Sequence, residues 1–470
     1  MYRKLLLTAA AAALALSSCS RERIPQGTGL LEVADGVYAY VAEGPSSPEG
    51  LGANAGFVVG GEAVLVVDTR FTPRLAEELA ASIRSVTDLP VEYVVNTHYH
   101  PDHVWGNRVF SETGADLLAR PETAVEIERY TPVYMEYYRQ NKPDVYSMIE
   151  GVRAVVPDTV GGDRTVIDLG GLEVELLYFG PAHTAGDLVV SVPARKTVFT
   201  GGLVSNGYHP NMADQGADFG NWLAALGRIG RIGPEVVVPG QGQPGPPELI
   251  DRHRRYMVDL MARCVEAIRN GQSMSESVLT MRVPGAEGYL QENLLPFNVQ
   301  AVYREKLLET VSPPFRLDIP PGFFLSDGAG TSDTGMLQWV FQSETGYLEL
   351  EVAWRPTRRK DVIAQDIRDE IARYGKSSGM YLLETTGGGW VSTAAGDFPV
   401  LEGRWEYRRS TNAAGSGPWR WTMILGESTL YSVRYLTNSG GETESEEENI
   451  ATLEQIVSTF RLERAAAPRE

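Results

Sequence analysis

Histidines and a carboxylate are concentrated in one short stretch of this sequence. Residues 97–103 have the sequence Thr-His-Tyr-His-Pro-Asp-His and hold three of the chain's six histidines. In an extended or turning segment, His98 and His100 can point the same way, while Asp102 and His103 point towards a neighbouring position. Neutral imidazoles with a carboxylate suit Zn²⁺, which binds four ligands and in catalytic sites keeps one position for water. The stretch therefore predicts a metal loop that serves one metal ion or two adjacent ones.

The element that holds this loop comes directly before it. The run Val91–Val95 is apolar and rich in β-branched residues, which predicts a buried strand ending at the loop. Upstream, the stretch Gly56–Asp68 predicts two further strands joined at Gly60 and Gly61. Binding and catalytic residues concentrate on loops at strand ends, so this position favours a functional site. The alternative is a polar loop whose histidines only cap backbone groups.

The pattern His-x-His-x-Asp-His after a buried strand resembles the metallo-β-lactamase fold superfamily of metal-dependent hydrolases. The resemblance implies a four-layer αββα sandwich over about residues 30–307 and a third histidine ligand, His183, in the segment Gly180–Asp187. It also implies that Asp68 supports the metal loop without binding the metal itself. The alternative role for Asp68 is to cap the helix predicted over Pro73–Val86, and both roles can hold together.

The same resemblance leaves the second metal site incomplete. Gly202 stands where the superfamily usually has an aspartate or cysteine ligand, and Gln241 stands at the position of a last histidine. What remains for a second metal is Asp102, His103 and the Gln241 carbonyl oxygen, which is a weaker donor than imidazole. His209 is a further candidate, as a substitute ligand or a substrate contact, with an exposed loop histidine as its alternative. We therefore expect one zinc ion at the three histidines and leave a second ion open.

These residues lead to a hypothesis about the reaction. Zinc held by His98, His100 and His183 is expected to activate water for attack on an ester, thioester, lactone or amide of a small-molecule substrate. Asp102 is expected to be the catalytic residue that orients this water or accepts its proton. The order of segments, with a helical tail at Phe297–Glu305, resembles most closely the quinoprotein relay system zinc metallohydrolases. That subgroup implies an alternative role as an accessory protein of a periplasmic quinoprotein oxidation system, and the incomplete second site leaves a non-catalytic binding protein as another.

The amino terminus predicts export. Arg3 and Lys4 precede the apolar run Leu5–Leu16, which is typical of a bacterial signal peptide over residues 1–19. The residues Leu-Ser-Ser-Cys resemble the lipoprotein processing box, which implies cleavage before Cys19 and lipid attachment to it. The run is too short for a transmembrane helix, which needs about 20 residues. We expect a lipoprotein at the periplasmic side of the outer membrane, held only by its lipid, with a secreted or periplasmic protein as the alternative.

The length of the chain predicts a second domain, because 470 residues exceed what one core normally serves. A linker is predicted over 20–29, the second domain over 312–463 and a tail over 464–470. Strand-like runs about a turn at Ser343–Gly346, with helices from Asp361 and over Glu446–Phe460, predict an α+β sandwich. Its two ends resemble domains related to the photosystem II extrinsic protein PsbP. The domain contains no histidine, so we assign it no catalysis and consider it a candidate surface for a periplasmic protein partner.

Net charge excludes one class of partner. The chain has 61 acidic and 42 basic residues, a formal net charge of −19, and no basic stripe. Such a surface repels a phosphate backbone, so nucleic acid is not expected as a partner.

Overall fold

The structure of this chain is a computed structural model. It describes residues 24–42, 44, 53–311, 315–319, 324–330, 334–343, 346–357, 365–369, 371, 381–407, 416–425, 429–438 and 443–462. The predicted signal peptide over 1–19 with Cys19, the start of the linker at 20–23 and the tail over 464–470 lie outside these residues. Within the described ranges, no helix combines the length and apolarity needed to cross a membrane.

Seven strands form the first sheet. They are β1 (Gly29–Ala34), β2 (Val37–Val41), β3 (Ala55–Val59), β4 (Val64–Val67), β5 (Val91–Val95), β6 (Asp116–Ala119) and β7 (Asp158–Thr159). They lie in sequence order, antiparallel from β1 to β4 and parallel from β4 to β7. All of β4 and most of β3 are buried, as expected of strands covered on both faces. β3 and β4 pair with each other on either side of Gly60 and Gly61, so the predicted strand pair is confirmed.

Five strands form the second sheet. They are β8 (Arg164–Asp168), β9 (Glu173–Tyr178), β10 (Leu188–Val192), β11 (Thr197–Phe199) and β12 (Val236–Val238). Their order is β12-β11-β10-β9-β8, antiparallel except for the parallel pair β11 and β12. Apolar side chains of both sheets, among them Leu65, Val95, Leu176 and Val190, form one core between them. The two sheets therefore pack face to face.

Helices cover the outer faces of both sheets. They are α1 (Pro73–Val86), α2 (Pro101–Val104), α3 (Asn107–Ser111), α4 (Pro121–Asn141), α5 (Pro143–Ile149), α6 (Phe219–Ile232), α7 (Glu248–Arg269), α8 (Met274–Thr280) and α9 (Leu294–Val311). Residues of α1 and α3, including Leu79 and Phe110, pack on the first sheet. Residues of α6 and α7, including Trp222 and Leu260, pack on the second. The predicted αββα layering is confirmed.

The start of α1 corrects one expectation. Thr72 is its N-cap, and the Thr72 side chain accepts a hydrogen bond from the backbone N–H of Leu75. Asp68 lies further upstream with a φ of 59°, in the left-handed region. The alternative role of Asp68 as helix cap is therefore wrong, because its side chain is engaged elsewhere.

A second, sheet-rich domain follows. Its strands are β13 (Phe315–Arg316), β14 (Phe324–Gly330), β15 (Gly335–Ser343), β16 (Gly346–Pro356), β17 (Tyr381–Thr393), β18 (Gly396–Tyr407), β19 (Ser416–Leu425), β20 (Thr429–Asn438) and β21 (Arg461–Leu462). Seven of them form an antiparallel sheet in the order β14-β15-β16-β20-β19-β18-β17, against which the closing helix Thr443–Ser458 packs. Pairing of Ser343 with Gly346 confirms the predicted hairpin. The helix predicted from Asp361 is described only at 365–369 and 371.

Edge strand β14 joins this domain to the helices of the first. The Asp327 carboxylate accepts hydrogen bonds from the Met274 backbone N–H and the Ser275 hydroxyl, both at 2.9 Å, at the start of α8. The Tyr303 hydroxyl of α9 lies 2.9 Å from the carbonyl oxygen of Gly328. Apolar residues of both domains also form one continuous cluster. Polar and apolar contacts thus fix β14 against the first domain.

Candidate metal centre

Three buried histidines meet at the ends of strands from both sheets. His98 and His100 follow β5, and His183 lies in the loop between β9 and β10. Nδ1 of His100 is 3.0 Å from Nε2 of His98 and 3.1 Å from Nε2 of His183. All three nitrogens lie within 4.8 Å of one another. Three imidazole nitrogens facing one point are the ligand set of a divalent metal such as zinc.

The other ring nitrogen of each histidine has its own acceptor. For His98, His100 and His183 these acceptors are, in order, Thr97 Oγ1 at 3.0 Å, Asp214 Oδ2 at 3.1 Å and the Asn211 carbonyl oxygen at 2.9 Å. A proton on each outer nitrogen leaves the lone pair on the inner one, as metal-binding histidines require. The residues present therefore fit a metal ion.

Burial keeps the imidazoles of His98 and His183 neutral. It lowers the pKa of His98 well below its usual range, and nearby histidines lower it further. Burial, followed by the charge of His100, lowers the pKa of His183 to about 3. Only neutral imidazole binds a metal, so the fold presents these two ligands in the competent form at neutral pH.

Asp214 is a site residue that the sequence analysis missed. It lies in the loop between β11 and α6, and its Oδ2 atom also accepts a 2.5 Å hydrogen bond from the Tyr99 hydroxyl. Burial alone would raise the pKa of Asp214, but the hydrogen bond and charge of His100 outweigh burial and hold it at about 2. The only signal in the sequence is the polar character of this loop. Nothing in it marks which residue turns inward.

Asp68 lies beneath the metal loop, as the family resemblance implies. Its Oδ1 atom accepts the backbone N–H of Thr97 at 2.8 Å, and Oδ2 accepts the Thr97 hydroxyl at 2.8 Å. The same Oδ2 lies 2.7 Å from Nδ1 of His103. One carboxylate therefore fixes both ends of the predicted metal loop.

The candidates for a second metal form a separate triangle beside the three histidines. Oδ2 of Asp102 lies 3.8 Å from Nε2 of His103. Nε2 of Gln241 lies 3.4 Å from each of these two atoms. The His103 ring is 4.2 Å from the His98 ring, so the two groups are adjacent. Three of the four second-site candidates thus lie together.

The fourth candidate, His209, lies elsewhere. Its Nδ1 is 2.8 Å from the Tyr256 hydroxyl, and its ring packs against Tyr256 and Tyr289. Neither the ligand role nor the exposed alternative describes this buried side chain. The charged stretch Asp251–Arg255 predicts that His253 lies on the surface of a helix, but His253 is buried and accepts a hydrogen bond from the Ser205 N–H. This prediction is wrong because this face of α7 packs inward.

Two further carboxyl groups near Asp214 have raised pKa values. Burial raises the pKa of Asp187 to about 7, and hydrogen bonds from Thr184 oppose this rise. Burial, followed by the charges of Asp214 and Asp187, raises the pKa of Glu126 on α4 to about 8. Burial is therefore the main cause of both shifts.

Tyrosine side chains of α4 pack close to Tyr99 of the metal loop. The Tyr99 ring lies 5.2 Å from that of Tyr130 and 6.4 Å from that of Tyr134. The Tyr130 hydroxyl donates to Gln215 at 3.1 Å. Tyr138 packs against Phe71 and Trp105 in an apolar cluster, so these aromatic residues pack together beside the site.

Several known proteins are similar to part of this chain. The linear primary-alkylsulfatase of Pseudomonas sp. (strain ATCC 19151) is 23% identical over 301 residues, or 55% of this chain and 57% of that protein. The metallo-beta-lactamase type 2 of Bacillus cereus is 23% identical over 244 residues, or 49% of this chain and 86% of that protein. The solved metallo-beta-lactamase from Pontibacter korlensis superposes with a TM-score of 0.40 at 22% identity, covering 50% of this chain and 100% of that one.

These relatives differ in length from the protein described here. The chain spans little more than half the length of the alkylsulfatase, at 57%. The family model for the metallo-beta-lactamase superfamily matches residues 48–241, which include the three clustered histidines and Gln241. This chain therefore contains a domain of the metallo-beta-lactamase superfamily.

Proposed function

We propose that this protein is a zinc-dependent hydrolase that acts on the carbonyl group of an ester, thioester, lactone or amide. The observation that carries the proposal is the convergence of nitrogens from three imidazoles whose outer nitrogens all have acceptors. Bound there, a divalent cation would polarise the carbonyl oxygen and lower the pKa of a water molecule to about 7.

Residues of the chain supply the remaining steps. Oδ2 of Asp102 faces the Gln241 amide and the His103 ring, and we assign it to orient the attacking water and accept its proton. The Gln241 amide holds this carboxylate in position by a hydrogen bond to Oδ2. Tyr99 and Asp214 keep His100 oriented, because the carboxylate accepts from both.

A sulfate ester is the second candidate substrate, because the similarity to the alkylsulfatase extends over 301 residues.

A substrate panel with a metal control tests the proposal. Purified protein is assayed on a p-nitrophenyl ester, a lactone, a β-lactam and an alkyl sulfate, before and after chelation and after zinc is restored. We expect carbonyl hydrolysis that is lost with chelator, recovered with zinc and absent from His183→Ala. His209→Gln, which changes a histidine outside the cluster, should keep the activity. Hydrolysis that survives both chelation and His183→Ala would contradict the proposal.

We also propose attachment to the periplasmic side of the outer membrane through a lipid on Cys19, with the carboxyl-terminal domain meeting a periplasmic protein partner. Support comes from the apolar run followed by Leu-Ser-Ser-Cys in the sequence. Fractionation of cells tests this location. Cys19→Ala should move the protein from the membrane to the soluble fraction. A wild-type protein that is already soluble would contradict the proposed anchor.

A further inference from the structure

Gly202 leaves no room for a side chain that could bind a second metal. It lies in the short 3₁₀ segment Gly201–Leu203 that follows β11. A Cβ atom added there would lie 2.2 Å from Cδ2 and 2.5 Å from Nε2 of His183. Real Cβ atoms do not approach other atoms so closely, so any residue with a side chain at 202 displaces the third histidine ligand. The segment Gly201–Leu203 therefore supplies no side-chain ligand to a second metal at position 202.

The backbone holds Gln241 rigidly at the other side of the centre. Its segment makes bridges to Ala53 and Ser205, and its carbonyl oxygen accepts the Asn206 N–H at 2.9 Å. Its side-chain nitrogen lies 3.4 Å from both Asp102 Oδ2 and His103 Nε2. The side chain therefore faces the two residues that a second metal would need.

The orientation of the Gln241 amide follows from its neighbours. Nδ1 of His103 donates to Asp68 Oδ2 at 2.7 Å, and the other ring nitrogen, Nε2, faces the Gln241 amide. The Asp102 carboxylate is an acceptor. It selects the NH₂ group of the nearby amide, because it would repel the amide oxygen. The amide hydrogens thus lie where the positive charge of a second metal would otherwise be.

We propose that this centre binds a single metal ion and that the Gln241 amide replaces a second one. The NH₂ group of the amide donates to Asp102 Oδ2 and lies 3.4 Å from both this atom and His103 Nε2, so it occupies the position from which a second metal would contact both residues. The inference deepens the proposed function and rests on it for the ion at the three histidines. It adds that Asp102 is held by a hydrogen bond from the protein rather than by coordination.

The geometry gives this proposal a gain-of-function test. Ligands at about 2.0–2.1 Å around a tetrahedral zinc lie about 3.4 Å apart. The three atoms of the Gln241 triangle are separated by 3.4, 3.4 and 3.8 Å. Exchange of the amide for a metal-binding group should therefore complete a second set of ligands with little movement.

The experiment counts zinc per chain by mass spectrometry after dialysis and follows Co²⁺ binding by absorption. Wild type should bind one equivalent, and Gln241→His should bind two. Gln243→His is the matched control, because Gln243 instead exchanges hydrogen bonds of 2.8 and 3.0 Å with the backbone of Gly27, and it should remain at one. Gln241→Glu keeps the side-chain shape and tests the same point if the histidine variant does not fold. It should tighten the second Co²⁺ equivalent roughly ten-fold or more.

Each result has a distinct meaning. Two equivalents in wild type would overturn the single-ion proposal and leave the metal-dependent hydrolase standing. One equivalent in wild type and in both Gln241 variants would show that this glutamine does not limit the number of ions. No metal in wild type would overturn the proposed function together with this inference.

Discussion

The Asp214 carboxylate lies 3.1 Å from Nε2 of His100, on the side of the ring opposite to the nitrogen that faces His98 and His183. It also accepts a hydrogen bond from Tyr99, the residue between the first two histidines of the metal loop. A loop from one half of the domain thereby orients a ligand from the other. The distance of 114 residues between Asp214 and His100 explains why local sequence patterns do not reveal the pair.

This contact predicts a loss of metal affinity in Asp214→Ala. Removal of the acceptor frees the His100 ring to rotate and to change tautomer, so we expect zinc affinity to fall about 10- to 100-fold. Competition with a chromophoric chelator measures the change. Gln215→Ala alters the neighbouring residue, which contacts Tyr130 instead, and should bind zinc like wild type. Equal affinity in Asp214→Ala would show that the contact does not position the ligand.

Gly202→Ala should weaken the same site by crowding. The added methyl group would approach His183 to 2.2 Å, and displacement of a ligand by a few tenths of an ångström is costly. We expect zinc affinity to fall roughly ten-fold or more while the circular dichroism spectrum is retained. Gly230→Ala in α6 has nothing within 4 Å of the added atom and serves as control. Wild-type affinity in Gly202→Ala would mean that the loop adjusts without moving His183.

Asp68→Asn should destabilise the whole domain. Asparagine tolerates the left-handed φ of 59°, so the exchange tests charge and hydrogen bonding rather than backbone strain. It leaves His103 without its carboxylate partner in a buried setting, and we expect a loss of about 3 kcal/mol in the free energy of unfolding. Urea denaturation measures it. Asp88→Asn is the control at an exposed position and should change the free energy of unfolding little. An equal loss in both variants would contradict the structural role of Asp68.

Glu126→Gln should change how stability depends on pH. The pKa of Glu126 is raised to about 8, so the folded protein binds this proton more tightly than the unfolded chain does. The stabilisation by that proton is fully present at low pH and is lost as pH rises from about 4.5 through about 8. Glutamine cannot ionise and avoids the loss. In the metal-free protein, the variant should therefore gain melting temperature relative to wild type at pH 9 and much less at pH 5. A constant difference across this range would contradict the assignment.

The sequence alone determined the elements whose signals are local. The metal loop is a contiguous pattern, the flanking strands have continuous apolar runs, and the αββα layering follows from their order and the family resemblance. Tertiary structure decided the contacts between distant segments. It placed Asp214 and Asn211 against the ligands, buried His209 and His253, and turned the Gln241 amide towards Asp102, which is 139 residues away. Such contacts depend on which side of a loop or helix faces the core. For the loop residues, this orientation is set by the packing of whole layers and leaves no periodic pattern in the chain. His253 does follow a pattern, because it lies on the same face of α7 as Tyr256 and Leu260.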